Sequence, residues 1–130
     1  NYILGHTIGN DITIENIHGR DHHLARSKGW DTFCSIGPTI SCGIDTTNLY
    51  LKTKINGKIF QDSSTKHRIL DDNKTIALIS RFMTLNPGDI ILTGTPANAE
   101  NSVIHNGDNV ELIVENIGTL KNTVSFVNES

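Results

Sequence analysis

Gly5-His6-Thr7-Ile8-Gly9-Asn10-Asp11-Ile12-Thr13, followed after a polar connector by Lys28-Gly29-Trp30-Asp31-Thr32-Phe33-Cys34-Ser35-Ile36-Gly37-Pro38, sets the character of the chain. Apolar and polar residues alternate through positions 2–7 and 8–17, with Ile8, Ile12 and Ile14 on one set of positions. That period of two is the signature of half-buried strand. Asp11 then falls on the opposite, polar side. Residues 19–27 are polar and charged without sustained periodicity and read as a surface loop. Gly37-Pro38 punctuates the next segment before residues 39–42 resume an extended run.

Working outward, residues 49–55 and 58–61 flank Asn56-Gly57, the pair favoured at a type I′ turn because both central positions need positive φ. This predicts a β-hairpin. Asp71-Asp72-Asn73 supplies capping side chains and first-turn negative charge, and Ile76, Ile79, Phe82 and Met83 follow at helical spacing. Asn86-Pro87-Gly88-Asp89 turns the chain, and Ile90-Ile91-Leu92-Thr93 reads as a short buried strand leading into Gly94-Thr95-Pro96. Residues 110–114 and 117–126 read as further extended structure after the turn at Asn106-Gly107-Asp108. Many strands and one helix predict a mainly β fold with a closed or rolled sheet.

One hundred and thirty residues, 36% of them hydrophobic, make one domain with a single core. The net charge of -3 is scattered, so no electrostatic footprint for nucleic acid or an anionic membrane surface is present. The apolar runs are far shorter than the roughly 20 residues of a membrane-spanning helix. Cys34 and Cys42 have no CxxC spacing and read as free thiols, which suits a reducing cytoplasm. The chain opens without methionine, already in strand-like alternation, and reads as the back part of a longer protein.

Three positions could carry chemistry. Asp11, at a strand end flanked by Gly9 and Asn10, can either approach a hard divalent cation, which takes oxygen ligands, or cap a turn with Asn10. Lys28 can neutralise a carboxylate or an enolate forming on a bound keto acid, or be a solvated loop lysine. Gly94 lets the backbone approach a ligand while Thr95 offers a hydroxyl and an amide to an anionic oxygen; the alternative is an ordinary strand-to-loop turn. Trp30 and Phe33 read as core packing that fixes the Lys28 loop. Glu15, four residues from Asp11, would share its face on a strand.

These blocks, with Ile117-Gly118-Thr119-Leu120-Lys121-Asn122, resemble the fumarylacetoacetate hydrolase family almost from end to end, and most closely its branch of 2-hydroxyhepta-2,4-diene-1,7-dioate isomerases and acylpyruvases. The resemblance implies the family's mixed β-roll over residues 1–130 as a catalytic domain. It implies that Asp11 is a ligand of Mg2+ or Mn2+, that Lys28 is catalytic and that Gly94 and Thr95 bind the substrate carboxylate. His18 occupies the position of a substrate-orienting glutamine and could donate the same hydrogen bond, with a titration near neutral pH, or be a surface histidine. It further implies a small 2-oxo acid as substrate, a homodimer, and a Glu-x-Glu metal-binding pair upstream, since this chain contains none.

Several positions depart from the pattern. Glu15-Asn16 stands where the family usually has Arg-Asp, Lys66-His67-Arg68 where it tends to have a less charged turn, and Ala97-Asn98-Ala99-Glu100 where it has a glycine-rich loop. Those changes keep a second reading open, a catalytically silent relative that serves as a binding or subunit-pairing module. A carbohydrate-binding β-domain ranks last, because 5% aromatic residues leave few stacking platforms.

Overall fold

The computed structural model describes residues 2–15 and 22–126. Among these residues six strands form two antiparallel sheets. β1 (His6–Asp11) pairs with β2 (Cys34–Ser41), and β3 (Tyr50–Ile55), β4 (Lys58–Ser64), β5 (Asn109–Val114) and β6 (Gly118–Thr123) follow the order β4-β3-β5-β6. The described residues also form two helices, α1 (Ala25–Lys28) and α2 (Asp72–Ile79), and two 3-10 turns. The mainly β architecture with one principal helix is therefore as expected.

The hairpin between β3 and β4 turns at Asn56 and Gly57, with φ of 49° and 80°. The Asn56 side chain also donates to Asp108 Oδ1 at 2.7 Å and accepts from the Asn109 amide at 2.9 Å, which pins the turn to the start of β5. Ile8, Leu49, Ile55, Val110 and Leu120 are the buried apolar residues, drawn from both sheets. Links between side chain and backbone join the sheets: Thr39 donates to the Ile117 carbonyl at 3.1 Å, and Ser41 to that of Asn116 at 3.2 Å.

Three expectations need correction. β1 starts at His6 and stops at Asp11, shorter at both ends than the alternation over residues 2–17 predicts. Gly37-Pro38 does punctuate β2: the strand continues past it, but Ile8 pairs with Gly37 and His6 with Ser41, so residues 38–40 bulge out of the ladder before pairing resumes. Residues 90–93 form no strand, and Ile90 and Leu92 are 56% and 41% exposed. Leu92 nevertheless has a specific seat, because a Cβ on Gly9 would lie 2.6 Å from its Cδ2. The helix ends at Ile79, since the amides of Arg81 and Phe82 bond back three residues, to Leu78 and Ile79. Phe82 and Met83 lie beyond it, both exposed.

Asp71 caps α2 as the sequence predicts, its Oδ1 accepting from the Lys74 amide at 2.8 Å. Asp72 is the anchor of the region. Its Oδ2 accepts from Thr46 Oγ1 at 2.5 Å and lies 3.1 Å from His6 Nε2, while Arg68 Nη1 donates to Oδ1. Arg68 also donates to the Thr46 carbonyl at 3.3 Å. Arg68, a departure from the family pattern, is thus a clamp between the helix and the loop before β3.

Partial burial works against ionisation of Asp72, but the hydrogen bonds from Arg68 and Thr46 and the charges of Arg68 and His6 outweigh it and hold its carboxyl below the ordinary value. A depressed folded-state value contributes stability that is present above the unfolded value near 3.8 and is lost as pH falls through the folded one. Asp72→Ala is expected to lower unfolding free energy at pH 7 by about 2 kcal/mol, the scale of hydrogen bonds to a charged group. Urea denaturation at pH 7 and again below pH 3 measures it. The difference between variant and parent should shrink at the lower pH; a constant gap would exclude the ionised carboxylate as its source.

Candidate active site

Asp11 is the last residue of β1 and sits opposite Cys34 on β2. Past the strand, the Ile12 amide donates to the Phe33 carbonyl and the Ile14 amide to that of Ser27, each at 2.9 Å, which zips the chain leaving β1 against the segment that bears Lys28. The sequence predicts a surface loop over residues 19–27, but residues 25–27 belong to the single turn α1. Lys28 is the last residue of α1, and its amide donates to the Leu24 carbonyl at 2.9 Å. Gly29 closes the turn with an amide bond of 2.8 Å to the Ala25 carbonyl. A Cβ on Gly29 would meet that same oxygen at 2.6 Å, so only glycine fits without moving backbone.

Trp30 fixes this turn by a different means from the one expected. It is 57% exposed rather than core, and its indole N–H donates to the Arg26 carbonyl at 2.5 Å. A polar handle on an exposed ring thus does what burial was expected to do. Phe33 is half-buried, with its ring centroid 6.5 Å from that of Trp30.

These elements bring two of the sequence-predicted residues into contact. Lys28 Nζ donates to Asp11 Oδ2 at 2.5 Å and to Thr13 Oγ1 at 2.9 Å, and the Thr13 hydroxyl donates to the Asp11 carbonyl at 3.2 Å. The ammonium is thereby aimed by two acceptors, and Asp11 Oδ1 has no hydrogen-bond partner among the described residues. With side chains 34% and 41% exposed, the pair is half-open to solvent, where ion pairs contribute about 0–1 kcal/mol. Stability is therefore a weak account of it.

Glu15 is exposed and lies four residues beyond the end of β1, so the shared strand face that would have made it a partner of Asp11 does not exist. His18 lies outside the described residues. Among the described residues no group of three or more His, Cys, Asp or Glu side chains is placed to hold a metal ion. Asp11 fits a divalent cation as one carboxylate ligand, through the oxygen that Lys28 leaves uncommitted.

Gly94 has φ of 98°, and Thr95 follows it on an exposed loop. Leu92, seated on Gly9, lays that loop across β1 two residues before Asp11. Thr95 is held by a separate anchor, Gln61 on β4, whose Nε2 lies 3.3 Å from Thr95 Oγ1. Sequence reasoning missed Gln61, and also the part of Thr13 in aiming Lys28. The two-residue turn places Phe60 opposite Thr53 by simple counting, but a bulge puts Gln61 there instead, and no residue pattern marks that slip.

A cleft of about 440 Å3 lies elsewhere, lined in part by His6, Thr46, Lys66, Arg68 and Asp72; none of Asp11, Lys28, Gly94 and Thr95 borders it. The clamp around Asp72 lies on its wall. No helix among the described residues is long and apolar enough to cross a membrane, and Cys34 and Cys42 are free and exposed.

The fold recurs in known proteins. The sequence profile described as Fumarylacetoacetate (FAA) hydrolase C-terminal matches residues 1–125. The chain is 43% identical to 2-hydroxyhepta-2,4-diene-1,7-dioate isomerase from Mycobacterium marinum, with a TM-score of 0.91 over 98% of this chain and 50% of that one. It is 31% identical to maleylpyruvate hydrolase from Sphingobium sp. SYK-6, solved in complex with manganese(II) ion and pyruvate, with a TM-score of 0.80 over 94% of this chain and 44% of that one. Oxaloacetate tautomerase Fahd2a, mitochondrial, of Rattus norvegicus is 33% identical over 137 residues, covering 95% of this chain and 42% of the relative. The chain spans about half the length of the curated relatives it matches. It belongs to the fumarylacetoacetate hydrolase family.

Proposed function

We propose that the protein carrying this domain is a divalent-metal-dependent enzyme acting on a small 2-oxo acid through an enolate, in a C–C bond hydrolysis, decarboxylation, dehydration or isomerisation. The observation that carries the reading is the Lys28 ammonium aimed by Asp11 and Thr13 on a half-open surface. The relatives' names support the substrate class: oxaloacetate, maleylpyruvate and pyruvate are all 2-oxo acids.

Mg2+ or Mn2+, when bound, supplies Lewis-acid polarisation of the substrate's oxygens. Asp11 would supply one carboxylate ligand to it, and the family resemblance implies further carboxylates from a Glu-x-Glu pair. Lys28 holds an ammonium beside the oxygen on which negative charge grows, a stabilisation stronger in the transition state than in the ground state. The Thr95 hydroxyl and amide bind the substrate carboxylate, with Gly94 allowing close approach. His18 is proposed to orient the substrate. On the same resemblance the assembled protein is read as a homodimer, and its free cysteines suit a reducing cytoplasm.

The test is a thermal-shift titration of the full-length protein with oxalate, a mimic of an enolised 2-oxo acid, with Mn2+ or Mg2+ and then with a chelator. Ligand at about a hundred times its Kd adds roughly 2.7 kcal/mol to a folded state that alone binds it. Metal-dependent stabilisation is the expected result. No shift in either condition favours the silent binding module.

A further inference from the structure

We infer that Gln61 is the positioning residue for substrate-carboxylate recognition, holding the loop at residues 95–97 and setting the place from which the Thr95 hydroxyl donates. The inference rests on the reading of Thr95 as a carboxylate contact and deepens it.

Gln61 is 5% exposed, although it stands on β4, at the edge of its sheet. A buried amide requires partners for both its ends. Its Oε1 accepts from the Thr53 hydroxyl at 2.7 Å. Its Nε2 faces the carbonyl oxygens of Pro96 at 3.0 Å and Ala97 at 3.3 Å, and Thr95 Oγ1 at 3.3 Å. The two carbonyls decide the orientation of the amide, because neither can donate and only the NH2 end can satisfy them.

Two consequences follow for Thr95. Three consecutive residues of an exposed loop are tied to one buried side chain, so the loop takes its position from the sheet. The Thr95 oxygen shares the two N–H groups of Gln61 with those carbonyls, and its own O–H stays free to donate outward. A donating hydroxyl suits an anionic oxygen better than an amide nitrogen at the same place. The bulge that displaces Phe60 and puts Gln61 opposite Thr53 is what turns this side chain into the interior, a use of bulges seen beside active sites.

The experiment uses the full-length protein with Gln61→Leu, Gln61→Glu, Thr95→Val and the double variant Gln61→Leu/Thr95→Val, and measures the Kd of pyruvate and of pyruvamide with divalent metal saturating. Gln61→Glu keeps an acceptor for Thr53 while removing every donor to the loop, and serves if the leucine variant does not fold. The parent is expected to prefer the acid over the amide. Gln61→Leu, Gln61→Glu and Thr95→Val should each reduce that preference by about tenfold to a hundredfold, the scale of one charge-assisted hydrogen bond. The double variant should be no worse than Thr95→Val alone, the non-additivity of one coupled unit. Equal weakening of both ligands in the Gln61 variants would reduce Gln61 to a structural role and overturn the inference. An unchanged preference in those variants, with Thr95→Val losing it, would overturn the inference and leave Thr95 standing. An unchanged preference in Thr95→Val would remove Thr95 from the carboxylate site, and the inference with it.

Discussion

Lys28→Ala in the full-length protein is expected to lower turnover by about a hundredfold to a thousandfold while the divalent cation still binds, the scale seen when one preorganised donor is removed from a site of developing negative charge. The geometry gives the reason. The ammonium is held at 2.5 Å from Asp11 and 2.9 Å from Thr13, so its position is set before substrate arrives and little reorganisation accompanies the reaction. Alanine removes the charge and its two anchors together but leaves β1, which presents Asp11, intact. Steady-state kinetics at saturating Mn2+, paired with calorimetric titration of the metal, separates the two effects. Wild-type turnover would return Lys28 to a solvated position at the end of α1. Loss of metal binding in this variant would mean that the lysine shapes the ligand and not the reaction.

Asp11→Ala is expected to weaken Mn2+ binding by well over a hundredfold, since even residues that only orient metal ligands cost about 10–100-fold when removed. The fold should survive. The ion pair lost is half-open, with side chains 41% and 34% exposed, and such pairs contribute about 0–1 kcal/mol. The midpoint of thermal unfolding without metal should therefore move by only a few degrees. Calorimetric titration with Mn2+ and a melting curve in chelator decide the matter, and unchanged metal affinity would withdraw Asp11 as a ligand. The two variants also check each other: one keeps the metal and loses the reaction, while the other loses both.

The parts of this domain that could be read from sequence are those whose cause is local. Asn56-Gly57 demands positive φ at both positions and delivers the hairpin, and Asp71 caps α2 through the Lys74 amide. An acid closing a strand-like run and a lysine in the glycine-containing segment after it suggest a site, but not how Asp11 and Lys28 meet. What joins them is a run of backbone bonds, Ile12 to Phe33 and Ile14 to Ser27, between segments whose residue types do not announce the contact. Residues 90–93 misled because an apolar triplet next to a turn fits a strand as well as an irregular loop, and here Leu92 finds its seat on a glycine instead of in a sheet. Gln61 was invisible for another reason. Its burial follows from a one-residue slip in the register of β4 against β3, and register irregularity leaves no mark in the polar and apolar pattern.

The seat of Leu92 on Gly9 makes position 9 a spacer of fixed height between the strand that presents Asp11 and the loop that presents Thr95. A methyl group there would stand 2.6 Å from Leu92 Cδ2. The atom it meets is the far end of a flexible side chain, so Leu92 turns aside before the strand moves. Residue size at position 9 therefore decides whether the loop keeps its apolar foothold on β1, without altering any group that carries charge or donates a proton.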